Sequence, residues 1–262
     1  MERKDKLILI YLASLVPLAL AAVFFSLRAL DLNRVDSGFL GIAALTVFSS
    51  CFLRIQFPRT SIHLTLSDAL VIYCMIQYGF ALAAFLAIFE ALVASLNLRF
   101  RGILMKPKTI IINILVAPIA VFTTAKLIGY IFGPLDPLFA RHDLTSYIWV
   151  FAAAGVGLFA INSIAVALFG SIKTGLPITK VWNENCFDAA IMYLGGALMA
   201  GIIYKAIEQF NVYLIISVIA FFALLFLTFR RFVEDVRKTS ERAKESERIR
   251  AEQAETHVKE LV

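Results

Sequence analysis

Apolar stretches separated by short polar breaks run through most of this chain. A helix needs about 20 apolar residues to cross ~30 Å of hydrocarbon. Eight stretches are candidates: 7–27, 39–53, 64–77, 80–98, 109–131, 146–172, 186–204 and 212–229. The pattern changes after Phe229. The remaining residues, RRFVEDVRKTSERAKESERIRAEQAETHVKELV, hold nine Lys/Arg and eight Asp/Glu with neither Pro nor Gly. Good helix formers dominate there, so the pattern predicts a charged, exposed helix. The expected fold class is all-α: a polytopic membrane helix bundle of about eight transmembrane helices over 1–229, then a cytoplasmic signalling or coiled-coil helix over 230–262.

The third stretch is short and meets the fourth at Tyr78-Gly79. Two full spans are the favoured reading. A re-entrant hairpin, allowed where protein buries it, is the other. Both return the chain to the same side.

Charges between the stretches orient the bundle. With the N-terminus inside, the inner segments carry Arg3, Lys4, Lys6; Arg54, Arg59; Arg99, Arg101, Lys106, Lys108; Lys173, Lys180; and Arg230, Arg231. The outer segments carry only Arg28, Arg34, Arg141 and Lys205. The positive-inside rule then fits eight helices with both termini cytoplasmic, as in a multi-pass protein of a cell's cytoplasmic membrane. Tyr130, Tyr147, Trp149, Tyr204 and Tyr213 stand as interfacial anchors at outer ends, and Trp182 at an inner one.

Composition agrees. Hydrophobic residues make up 60 %, only 17 % are charged, and the mean hydropathy is +0.83. The net charge of +6 falls mostly in the membrane block, which favours membrane lipid over nucleic acid as its partner. Cys51, Cys74 and Cys186 lie far apart in apolar stretches and read as small buried residues. No phosphate-binding loop, nucleophile elbow or metal motif is present, so no catalytic residue, metal or cofactor is expected.

Two stretches look alike: FPRTSIHLTLSDALVIYCMIQYGFALAAFLAIFEAL and LPITKVWNENCFDAAIMYLGGALMAGIIYKAIEQF. Pro58, Asp68 and Glu90 match Pro177, Asp188 and Glu208, which suggests a parallel 4+4 repeat. Gly195, Gly196 and Gly201, with Ala197 and Ala200, predict a face for close helix packing.

Ionisable residues within apolar stretches are costly and mark function by default. Asp68, Glu90, Lys126 and Asp188 are the candidates for ligand binding or switching, with polar Asn113 and Asn162 beside them. Glu90, mid-span, is the sharpest; a structural pair with Lys126 or a polar neighbour is its plainer reading. Asp68 and Asp188 stand at helix starts, where caps are equally at home. Lys126 can simply snorkel. Asn113 and Asn162 can serve as interhelical glue.

In the tail, Glu234 and Lys238, and Arg248 and Glu252, are spaced as i,i+4 pairs. A seam of Glu247, Ala251, Ala254, Val258 and Leu261 suits a weak parallel coiled coil and a homodimer.

The run S-I-H-L-T-L-S-D-A-L-V-I, then Y-G, then L-A-x-F-E-A-L within 58–99 resembles the N-terminal membrane sensor regions of bacterial signalling proteins. In these a multi-helix block is followed by a charged linker and a GGDEF, EAL, HD-GYP or histidine-kinase output. The ending E-Q-A-E-T-H-V-K-E-L is similar to linkers that precede a GGDEF domain. The resemblance implies a sensor region whose output domain is not in this chain; a small or lipophilic ligand bound among the helices is the expected input. It carries over no catalytic or binding residue. S-D-A-L with a later Y-G is also similar to the membrane capture subunits of vitamin transporters, which have fewer helices and no such tail. A transporter or capture subunit is therefore the alternative.

Overall fold

The computed structural model describes residues 3–52, 54–56, 63–65, 67–100, 102, 106–139 and 144–209, with scattered positions between 224 and 246. Its architecture is an α-helical bundle. The long elements are α1 (Arg3–Arg28), α2 (Ser37–Phe52), α3 (Ser67–Gln77), α4 (Phe80–Phe100), α5 (Pro107–Phe132), α7 (Leu144–Thr174) and α9 (Phe187–Gln209). Two short helices, α6 (Leu135–Phe139) and α8 (Ile178–Asn185), sit in connections. Among the described residues five helices are long and apolar enough to cross a membrane: Lys4–Arg28, Phe80–Phe100, Pro107–Phe132, Thr145–Thr174 and Ala189–Ile207.

Local chemistry explains the boundaries. Asp36 accepts the Phe39 backbone N–H at 2.7 Å and caps α2. Pro107 begins α5, where its missing N–H would have no helical partner. Gly79, between α3 and α4, has φ 94°, a left-handed turn that side chains disfavour. Pro17 and Pro118 lie inside α1 and α5, which continue through them.

Short α3 is the centre of the bundle. Ile72 and Cys74 have no exposed surface, and its residues from Ala69 to Met75 are all buried. It packs among α2, α4 and α9. The outer helices instead present apolar side chains outward, such as Ile10, Leu20 and Phe24 on α1, and Ile191 and Leu198 on α9. Such a surface suits hydrocarbon, where exposed leucine is not penalised.

Among the described residues, the stretches 39–53 and 64–77 fold as helices shorter than a full span, α2 and α3. α3 has eleven residues and rises about 16 Å, half of the ~30 Å core. Two full spans over 64–98 are therefore not confirmed: α4 is long and apolar enough to cross a membrane, whereas α3 is too short to do so alone. Two residue triplets ahead of it, β1 (Arg54–Gln56) and β2 (His63–Thr65), pair antiparallel with Ile55 opposite Leu64. No such ribbon was legible in the hydropathy. The stretch 212–229 lies almost wholly outside the described residues, as does the seam from Glu247 to Leu261. The tail positions that are described, such as Arg231, Phe232 and Glu234, are helical and exposed.

The two similar stretches fold differently. The first breaks between α3 and α4 at Tyr78-Gly79, whereas the second breaks earlier, between α8 and α9 at Cys186, and is continuous from Phe187 to Gln209. Tyr147 is also misread as an interfacial anchor: it is 3 % exposed and stacks on Phe139 at 4.4 Å, with Tyr204 at 5.6 Å. Trp149 and Tyr130 are exposed, as an anchor requires.

Candidate functional site at the start of α3

The N-terminus of α3 meets the middle of α4. Ser67, the first residue of α3, donates its hydroxyl to Oε1 of Glu90 at 3.0 Å. Glu90 is the eleventh residue of the 21-residue α4. The positive end of the α3 dipole therefore opens inside the bundle, level with a carboxylate. Asp68, the next residue, is partly buried in the first turn and lies close enough to Glu90 for the two charges to act on each other.

A phenol on α9 closes the group. The Tyr193 oxygen accepts the Nδ2 amide of Asn162, on α7, at 3.0 Å. Asp68 and Glu90 both act electrostatically on this phenol. The Phe159 ring flanks it with centroids 5.9 Å apart. One residue beyond Asn162, the Ser163 carbonyl accepts the Cys186 thiol at 3.7 Å, tying α7 to the turn before α9.

Close backbone approach brings these helices together. A Cβ on Gly196 would lie 3.6 Å from the Ala69 backbone nitrogen, so α9 rests against the first turn of α3. On the opposite side, a Cβ on Gly155 of α7 would come within 2.7 Å of Ala197 Cβ and 2.9 Å of the Tyr193 carbonyl oxygen. Of the predicted small-residue face, Gly196 and Gly201 pack closely, Gly201 against Phe151, while Gly195 meets nothing within 4 Å.

Three of the six residues expected from sequence thus converge: Glu90, Asp68 and Asn162. Asp188 is the second residue of α9, but its side chain lies outside the described residues. Lys126 is elsewhere: exposed on α5, with its ammonium 5.0 Å above the Phe80 ring and 5.6 Å from that of Phe122. Glu90 has its polar neighbour in Ser67. Asn113 is exposed on α5. Tyr193 was missed, because tyrosines were credited to interfaces; its place midway along an apolar stretch was the available signal.

Chemically, two carboxyls and a phenol around a helix N-terminus can hold a proton, a metal cation or a protonated amine between them. Such a guest removes the repulsion between neighbouring carboxylates in a medium of low dielectric. The dipole of α3 offsets part of one negative charge.

Neither a family model, a curated protein nor a solved structure matches this chain.

Proposed function

We propose that this chain is a membrane-embedded sensory module. The state of the Asp68–Glu90–Tyr193 group is relayed along α9 to the charged segment from Arg230, and onward to a cytoplasmic output of diguanylate cyclase, phosphodiesterase or kinase type. The observation that carries this reading is the sharing of one polar group by α3, α4, α7 and α9, since α9 leads towards the tail. A bound cation, proton or small basic ligand changes what holds α9 against α3. On this reading the module sits in the inner membrane with cytoplasmic termini and pairs with a second copy through its tail. The test is a fusion of the chain to a diguanylate cyclase, with Asp68→Asn and Glu90→Gln introduced together. Expected is an output locked high or low; output that still responds to the stimulus like the parent overturns the reading.

A second reading, a transporter or substrate-capture subunit, is favoured by one observation. A half-length helix that begins beside a carboxylate in mid-bundle is the arrangement by which transporters expose backbone and dipole ends to a solute. Solute uptake by proteoliposomes holding this chain alone would support it, and abolition of that uptake by Glu90→Gln would tie it to the same group.

A further inference from the structure

At the end of the bundle where α1 begins, charged residues of three helices come close, one of them through its backbone carbonyl. The Lys4 ammonium donates to the Lys173 carbonyl, in the last turn of α7, at 3.4 Å. Next to it Asp5 pairs with Lys108, in the first turn of α5, at 2.7 Å. Lys106, the residue ahead of α5, is near enough for its charge to act on Asp5. These five residues bring four positive charges against one negative, and Lys108 already engages that one. Lys4, Lys106 and Lys173 are exposed.

Directly below, the same three helices share an apolar cluster of Tyr11, Leu15, Ile112, Val116 and Ala165. The Tyr11 hydroxyl donates to the Ala165 carbonyl there at 3.0 Å. Beside the lysines, Leu7, Ile10 and Ile111 present exposed apolar surface. A cationic rim above an outward apolar face matches a ligand with an anionic head and hydrocarbon tails. A free anion would meet only the rim.

We propose that Lys4, Lys106 and Lys173 bind the phosphate headgroup of an anionic phospholipid, whose chains lie along Ile10 and Ile111, and that this lipid clamps α1 onto α5 and α7. Cations held together on three helices repel one another, so a shared anion draws the helix ends together. The proposal needs only the bundle and its membrane, not the sensory reading.

The experiment follows thermal unfolding of the full chain in neutral detergent during titration with phosphatidylglycerol. Phosphatidylcholine of the same chains and inorganic phosphate at equal ionic strength are the other arms. Expected is a rise in Tm with phosphatidylglycerol alone. Lys106→Gln with Lys173→Gln weakens its apparent affinity about thirty-fold, and Lys106→Gln alone about fivefold. Arg28→Gln with Arg34→Gln, at the opposite end, leaves it unchanged. The proposal is overturned if phosphate or phosphatidylcholine gives the same rise, if the lysine variants keep the parent affinity, or if the arginine variant loses as much.

Discussion

Ser67 and Glu90 stand 23 positions apart in sequence and 3.0 Å apart in space. That hydrogen bond ties the first residue of the eleven-residue α3 to the middle of the 21-residue α4.

Ser67→Ala should therefore destabilise the bundle by about 1–3 kcal/mol, as expected for a hydrogen bond to a charged acceptor away from water. Thermal unfolding in detergent would read this as a lower Tm. An unchanged Tm would mean that Glu90 is held by other partners and that α3 is placed by packing alone.

Gly155 and Gly195 form a matched pair. Gly155→Ala forces a methyl group against Ala197 and the Tyr193 carbonyl, and overpacking of this kind costs about 1–3 kcal/mol. Gly195→Ala enters open space within a helix and should be neutral or stabilise by about 0.5–1 kcal/mol. The two Tm values should move in opposite directions or differ clearly; equal shifts would contradict the packing of α7 on α9.

Tyr193→Phe removes the acceptor for Asn162 and should lower stability by about 1 kcal/mol. Asn162→Leu in the same background should add less than it does alone, since the partners share one interaction. Full additivity in this double-mutant cycle would show that the two side chains act independently.

Asp5 precedes the apolar part of α1, and the hydrogen bond and charge of Lys108 hold its carboxyl below the ordinary carboxylate range. A group whose pKa is lower folded than unfolded stabilises fully above its unfolded value, about 3.9 for Asp, and loses that contribution as pH falls through the folded value. The Tm of the parent should fall more steeply below pH ~4 than that of Asp5→Asn. Parallel curves would mean that the contact contributes nothing in solution.

Much of the helical layout was legible in hydropathy alone. The stretches 7–27, 80–98, 109–131 and 146–172 reappear inside α1, α4, α5 and α7, because a run of apolar residues that long has no other way to satisfy its backbone in hydrocarbon. Helix α8 was not foreseen: Ile178–Asn185 has too few apolar residues to register, yet Val181 is buried against Gly170. Nor was the shortness of α3, since residues 64–66 continue its apolar pattern ahead of the helix.

Residue types alone marked Asp68, Glu90 and Asn162 for attention, because charge and amide groups are costly in apolar stretches wherever they stand. They equally marked Lys126 and Asn113, which lie exposed on α5. The sequence by itself determined the helical bundle, the approximate helix limits and this short roster of polar residues, all consequences of local composition. Only the tertiary structure decided which of them meet. Meeting depends on helix depth and rotation, and these follow from contacts far apart in the chain: Ser67 with Glu90, Gly196 with Ala69, and Asn162 with Tyr193.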